Sequence, residues 1–264
     1  MFSSADHTFA ICAYGESPYL SECVRSLKTQ TIGTNIVMAT STPNNLIENV
    51  ARDNDIPLFI NPQKLGIASD WNFAANCAST PLVTIAHQDD TYEPTYAEKM
   101  LAGMNRTTRP LIFFTNYGEL RHGVKVDNHR LLTIKRILLL PISRSGVASS
   151  VRKKRGILSK GSSICCPSVT LNMNALPNPP FSTGMKSNLD WDAWERFSHL
   201  DGQFVYDKTI LMYHRIHQDS ETSALIRDNT RTQEDFEMLA RFWPRPIAWI
   251  INKAYSKGQV SNNA

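Results

Sequence analysis

Three short stretches carry side chains able to do chemistry together: His87-Gln88-Asp89-Asp90, Leu189-Asp190-Trp191-Asp192 and Arg215-Ile216-His217. The first follows Leu82–Ala86, a run of small and apolar residues that reads as a strand buried on both faces, so its two carboxylates arrive where the strand runs out. Open α/β sheets bind ligands at such strand ends. Adjacent carboxylates repel each other and are poor strand formers, so the pair calls for a compensating partner, most simply a divalent cation. A hard cation that also shares diphosphate oxygens suits Mg2+ or Mn2+, and an imidazole in its shell tilts the choice to Mn2+. The acids at 190 and 192 add a separate carboxylate able to serve as general base. These are the parts needed to move a group from a nucleotide diphosphate to a hydroxyl. Each also has a plain reading: a solvated turn for the Asp pair, a helix cap for Asp190, a surface ion pair for Arg215, a hydrogen-bonded turn residue for His217.

The elements that must position these groups follow from hydrophobic spacing. Phe9 to Ala13 is a first strand, and Tyr14-Gly15-Glu16 leads into a helix capped by Ser17 with Pro18 at its first position; Leu20, Cys23, Val24 and Leu27 then recur at helical spacing. A strand at Ile36–Ala39, a helix from Asn44 to about Arg52 with Leu46, Val50 and Ala51 inward, a short strand at Pro57–Ile60 and a helix over Ile67–Cys77 come before the central strand. Beyond it, Pro94 opens a helix with Tyr96, Met100, Leu101 and Met104 on one side, and Leu111–Tyr117 is a strand. Ser162–Leu171 reads as a strand that Pro167 places near an edge. Asn188–Phe197 starts a helix with acids in its first turn, Phe204–Tyr206 and Ile210–Tyr213 are two short strands, and the chain is helical from Thr232 to about Tyr255 on either side of Pro244 and Pro246. Strands alternating with helices predict an α/β fold with right-handed βαβ units, a mainly parallel sheet and strand tips that share one edge. No G-x-G-x-x-G follows the first strand and no P-loop occurs, which argues against a dehydrogenase or an NTPase.

A chain of 264 residues with 42% hydrophobic and 20% charged residues can bury one sizeable core. Its five cysteines, Cys12, Cys23, Cys77, Cys165 and Cys166, form no CxxC pair and read as core thiols of a reducing compartment. With no basic patch followed by an apolar leader and no run of eighteen apolar residues, the expected location is cytoplasmic, peripheral on the inner membrane face at most. Residues 121 to 160 hold eleven Lys and Arg against one acid, Asp127, while the whole chain nets only +4. Within that strip Ile134, Ile137, Leu138 and Leu140 alternate with Lys135 and Arg136, a pattern that rests on anionic lipid. A solvated helix face is the alternative. Nucleic acid is disfavoured, because the strip lacks interleaved aromatics. Phe242-Trp243-Pro244 and Trp249-Ile250-Ile251 are apolar for a tail, so they pack on the body or dip into a membrane interface.

In order and spacing the chain resembles glycosyltransferase family 2, the inverting GT-A class, of the type that builds bacterial surface polysaccharide. The resemblance rests on Phe9–Tyr14 with Tyr19–Leu27, Gln30 and Thr31; on Gly66 through Trp71 and Asn72; on His87-Gln88-Asp89-Asp90 as the DxD-type motif; on Leu189-Asp190-Trp191 as the xED-type motif; and on Arg215-Ile216-His217 as the late His motif. It implies a Rossmann-like GT-A sheet divided into a nucleotide-sugar half (1–120), a basic amphipathic insertion (121–160), an acceptor and catalytic half (161–231) and a helical tail (232–264). It further implies that Ala13, Tyr14, Glu16 and Ser41 line the nucleoside pocket, that Asp70 and Asn72 lie near ribose or diphosphate, that Asp89 touches ribose or sugar, that Asp90 and His217 bind the metal, and that Arg215 sits on the diphosphate. Two departures stand out. His87 replaces the usual first Asp, leaving open which of Asp89, Asp90 and His87 hold the cation, and Leu189 replaces the Glu, leaving Asp190 as the natural base with Asp192 as substitute. The donor would be a UDP-sugar and the acceptor a glycan or lipid-linked hydroxyl. A catalytically silent nucleotide-sugar or membrane-surface binding module and a sugar nucleotidyltransferase are the rival readings.

Overall fold

Period-two burial builds the sheet. In strand β1 (His7–Ala13) the side chains of Phe9 and Ile11 enter one core, while that of Ala10 enters the other. Nine further strands continue it: β2 (Asn35–Thr40), β3 (Leu58–Ile60), β4 (Leu82–His87), β5 (Thr91–Tyr92), β6 (Pro110–Arg121), β7 (Val124–Val126), β8 (Val147–Ala148), β9 (Val169–Asn172) and β10 (Gln203–Ile216). The computed structural model describes residues 1–217 and 230–260. It orders the strands β3-β2-β1-β4-β9-β6-β10-β5, with β7 on β6 and β8 on β10. β3, β2, β1 and β4 are mutually parallel, β9 runs antiparallel between β4 and β6, and β10 is parallel to β6.

Helices cover both faces. α1 (Leu20–Lys28), α2 (Asn45–Asp53) and α4 (Tyr96–Asn105) pack with Phe9, Ile11, Met100 and Phe113 in one core. α3 (Ile67–Cys77), α5 (Arg130–Ser143), α6 (Val151–Leu158), α7 (Leu189–Ser198), α8 (Thr230–Ala240) and the helix that follows it, α9 (Arg245–Val260), take part in the other, with Phe114, Trp191, Trp194 and Met238 among its buried members. The tail therefore packs on the body through Met238, Leu239 and Ala248, while Trp249 and Ile250 stay exposed.

Several local expectations are corrected. α1 begins at Leu20 rather than beside Pro18, because Ser17 Oγ accepts from Tyr19 N in a turn before the helix instead of capping it. On α2, Ile47 joins the expected Ala51 as fully buried, with Leu46 and Val50 partly buried against the same core and Asn44 Oδ1 accepting from Ile47 N as the cap. α4 starts at Tyr96, and β6 runs on to Arg121. Pro167 lies in a single turn of 3-10 helix, and the strand after it is central, since the lost N–H falls outside the ladder. The two short strands expected near the end are one, β10, whose register shifts between Asp207 and Ile210. The basic strip is not one surface. Lys154 is 1% exposed, with Nζ donating to the carbonyls of Leu200 and Gly202, and Arg155 is bound to Glu195 and the carbonyl of Arg241. The five cysteines are all free thiols.

At the start of the sheet His7 is fully buried, hydrogen-bonded to Thr84 Oγ1 at 2.8 Å. Burial lowers its pKa from 6.5 to about 3. The unfolded chain thus takes up a proton that the folded one refuses: this contribution is complete above pH 6.5 and drains away as pH falls toward 3. The slope should reach ~1.4 kcal/mol per pH unit. Urea titrations at successive pH values within that window should show it, and His7→Gln should flatten it by one proton's worth.

Candidate active site

β4 ends at His87 and the chain turns at once, Asp90 N donating to the carbonyl of His87. The two carboxylates of that turn go separate ways. Asp90 is 0% exposed, and its Oδ1 accepts from His214 Nδ1 at 3.0 Å and from Arg215 N at 2.9 Å, both on β10. Burial opposes charge on His214, but Asp90 beside it outweighs that, pushing its pKa up to about 9. Asp89 is half-buried, and its Oδ2 accepts from His217 Nε2 at 2.9 Å. Burial favours its neutral form, yet His217, His214 and His87 hold it below the usual carboxylate range. The repulsion between adjacent acids is thus offset by two imidazoles, His214 on β10 and His217 just past its end. Asp90, expected at the cation, is buried in this frame with Oδ1 taken, while its Oδ2 has no hydrogen-bond partner.

Asp89 Oδ2 and His217 Nε2 do fit a Mn2+ or Mg2+ ion. They offer a hard oxygen and an imidazole nitrogen, joined across a hydrogen that a cation would replace. Among the described residues no group of three His, Cys, Asp or Glu forms a metal cluster. Further positions would fall to water and phosphate oxygens, as is usual for such ions at nucleotide sites. His87 stands beside this pair with its ring stacked on Trp71 at 5.1 Å and Nδ1 3.8 Å from Asp90 Oδ2, and burial keeps it neutral by lowering its pKa. Asp90 Oδ2 and His87 Nε2 are buried without hydrogen-bond partners.

Arg215 is turned inward. Its Nε donates to the carbonyl of Asp89 at 2.8 Å, its Nη2 to Glu22 Oε2 at 2.6 Å, and the guanidinium lies 4.1 Å over the Tyr19 ring. It ties β10, α1 and the β4 turn together, its Nε and Nη2 committed to the frame and its Nη1 left for the expected diphosphate. Asn72 is likewise committed, gripping the N–H and carbonyl of Phe181.

The nucleoside-side candidates do gather at neighbouring strand tips. Ala13 is buried at the end of β1, Tyr14 is 57% exposed and Glu16 is exposed. Gln88 holds the backbone of Tyr14 through both its N–H and its carbonyl. Gly15, at φ 59°, turns the chain so that its N–H reaches Thr42 Oγ1. Buried Ser41 donates to Asp70 Oδ2 at 3.0 Å, and Asn61 donates to Asp70 Oδ1 at 2.9 Å. This leaves an exposed aromatic ring past the end of β1 and, between Ser41 and Asn61, a carboxylate of fixed orientation.

The acids of α7 have opposite fates. Asp192 is 4% exposed and spends both oxygens on Ser182, Arg196 and Arg241, which removes it as a substitute base. Asp190 is half-buried, its Oδ1 accepting from Trp191 N at 2.7 Å. Burial raises its pKa against the nearby charges of Arg231 and Lys135. The charges of Asp89, Asp90 and Asp190 all reach His87, so the first turn of α7 lies within electrostatic range of the β4 tip. Sequence reasoning passed over His214, Glu22, Trp71 and Glu234. The signal for His214 was an ionisable residue inside a strand beside Arg-x-His; Glu234 gave none. A cleft of about 620 Å³ lined by Phe2, Met104, Asn105, Pro110, Asn172 and Asp201 lies at the opposite end of the sheet and touches none of these groups.

The model of glycosyl transferase family 2 matches residues 8–152, which reach from β1 into α6; Asp190 and His217 lie beyond the match. No curated protein matches the chain. Among solved structures the chain is similar to S. aureus TarS, at 12% identity and a TM-score of 0.60 over 90% of this chain and 42% of that one, so it spans less than half of that protein. It is similar to TarS 1-349 in complex with UDP-GlcNAc, at 13% identity, a TM-score of 0.58 and coverage of 91% and 72%. It is also similar to the mannosyltransferase PcManGT from Pyrobaculum calidifontis in complex with GDP-Man and Mn2+, at 13% identity, a TM-score of 0.65 and coverage of 95% and 69%. The likeness is one of fold, the GT-A arrangement of a central sheet flanked by helices.

Proposed function

The chain belongs to glycosyl transferase family 2, and from that membership we propose that it is an inverting glycosyltransferase, moving a sugar from a nucleotide diphosphate sugar, UDP-linked by preference, to a hydroxyl of a glycan or lipid-linked acceptor in surface-polysaccharide synthesis. The observation that carries this reading is the half-buried carboxylate of Asp190, raised in pKa, within electrostatic range of the strand tip that bears Asp89 and His217. Tyr14 and the fixed Asp70 receive the nucleoside. The transferred sugar lies between the β4 turn and α7, walled by the stacked pair Trp71 and His87.

The reaction is a single displacement. The acceptor oxygen forms a bond to the anomeric carbon as the bond from that carbon to the diphosphate oxygen breaks, its proton passes to Asp190, and the configuration inverts. A raised pKa suits this role, because a base titrating nearer neutrality accepts a proton more readily. Mn2+ or Mg2+ held by Asp89 and His217 would supply charge neutralisation on the departing diphosphate. Donor binding is thus assigned to Ala13, Tyr14, Glu16, Ser41, Asp70 and Asp89, the metal to Asp89 and His217, and the base to Asp190.

A panel of nucleotide sugars incubated with the protein and Mn2+ should release a nucleoside diphosphate from one of them. EDTA should suppress that release, and Asp89→Asn should raise the Mn2+ concentration needed by about 10–100-fold. Release of pyrophosphate would mean a nucleotidyltransferase, and donor binding with no turnover in any condition would mean a silent binding module. Either result overturns the reading.

A further inference from the structure

α5 presents its apolar side to solvent. Arg130, Thr133, Ile134, Ile137, Leu140, Pro141 and Arg144 fall on one side of the helix, and all seven are exposed, with Ile137 at 55% and Leu140 at 61%. A soluble helix would show charges there. The row instead has three large aliphatics and a proline at its centre and an arginine at each end. α9 repeats the pattern: Pro246, Ile247, Trp249 and Ile250 are exposed, Trp249 at 55%, with Arg245 before them and Lys253 lying 4.6 Å over the Trp249 ring.

The two helices are neighbours on the molecule. α6 packs against α5, and the chain leaving α6 meets the start of α9: Ser159 accepts from Trp243 Nε1 at 2.6 Å, and a side chain at Gly161 would strike the Tyr255 ring. The charge of Lys135 on α5 is felt at Tyr255 on α9. Neither α5, α6 nor α9 contains a single Asp or Glu, and Arg152 and Lys153 at the start of α6 are exposed as well. No helix among the described residues is long and apolar enough to cross a membrane. An apolar row ringed by cations, on helices too short or too polar to span, is the chemistry of a segment that lies in the headgroup layer of an anionic bilayer.

We propose that α5 and α9 together form a docking face for an anionic membrane surface, seating Ile134, Ile137, Leu140, Ile247, Trp249 and Ile250 among the acyl chains and Arg130, Arg144, Arg245 and Lys253 at the phosphates. This rests on the reading of the acceptor as lipid-linked and deepens it. Lys135, on the inward side of α5, is close enough to Asp190 for its charge to act there, so the helix that bears this face also borders the base side of the site. It differs from the continuous strip at 121–160, from which Lys154 and Arg155 are withdrawn by burial and pairing.

Flotation of the full chain with phosphatidylcholine vesicles, with and without phosphatidylglycerol, tests it. The chain should float with the anionic vesicles and stay behind with the neutral ones, each basic residue at the face being worth about five-fold in partitioning. Ile137→Glu with Trp249→Glu should lower flotation by at least about ten-fold while nucleoside diphosphate release from the soluble donor stays unchanged. Flotation that ignores lipid charge, or a double variant that floats like the parent, overturns the proposal. So does a dimer by light scattering that Ile137→Glu splits, which would give the face to a second copy. Failure of diphosphate release with flotation intact would instead fault the enzyme reading and leave the surface standing.

Discussion

Asp190→Asn should lower kcat for sugar transfer by about 10²–10⁴-fold, the usual contribution of a positioned base, with the donor KM nearly unchanged. The substitution keeps an oxygen able to accept from Trp191 N, the 2.7 Å bond that settles the side chain at the start of α7, so the helix should form as before. What is lost is the capacity to take a proton. The pH profile separates this from a structural defect: the wild-type rate should fall on the acid side as Asp190 protonates, at a pH above the ordinary carboxylate range because burial raises its pKa, and that limb should vanish in the variant. Asp192→Asn is the control. Its carboxylate holds Ser182, Arg196 and Arg241, so the damage should appear in thermal unfolding, with the pH limb still present. Initial rates of nucleoside diphosphate release in the presence of acceptor, with melting curves beside them, distinguish the two acids. Full turnover in Asp190→Asn would remove it as the base.

The parts of this molecule that were legible in the sequence are those that depend on neighbours along the chain. The period-two and period-3.6 patterns gave β1, β2, β4, α3 and α7 nearly to the residue, because burial on a strand or helix is written locally. What could not be read depends on distant partners. That Asp90 Oδ1 is taken by His214 and the N–H of Arg215 requires β10 to lie near a turn more than a hundred residues earlier, and from the sequence alone a cation looked the simplest partner for the pair. Arg215 was placed on a diphosphate because arginine recognises phosphate well, but that its Nε and Nη2 bind the carbonyl of Asp89 and Glu22 above the Tyr19 ring depends on α1 and the β4 turn meeting it. Asp190 and Asp192 are both first-turn acids of one helix. Only the Arg241 and Ser182 contacts distinguish the framework acid from the reactive one. The basic strip misled for a related reason: composition counts Lys154 as a surface cation, whereas its aliphatic stem is buried and its ammonium binds two carbonyls.

Glu234→Ala should cost about 3–5 kcal/mol of stability and, in protein that remains folded, lower kcat more than it weakens donor binding. Asn188 precedes α7 but makes no side-chain cap; its Nδ2 instead donates to Asp235 at 2.8 Å. The open N–H groups ahead of the helix are closed from a distance by α8, whose Glu234 accepts from Lys186 N at 2.7 Å, Ser187 N at 2.8 Å and Asn188 N at 3.0 Å. A carboxylate suits this end of α7, where the helix dipole is positive. Three donors, one buried and two half-buried, would be orphaned at once by the alanine, whereas Glu234→Gln, with one accepting oxygen in place of two, should cost about 1–2 kcal/mol. Because Asp190 is the second residue of α7, an entry loop that loosens must move the base relative to the β4 tip. Misplacement of a reacting group by about 1 Å is worth roughly 10²-fold in rate. Urea unfolding gives the first quantity, and kcat and KM measured well below the variant's melting temperature give the second. An alanine variant that loses the stability yet turns over at the parent rate would reduce α8 to a fastening, with no part in holding Asp190 in place.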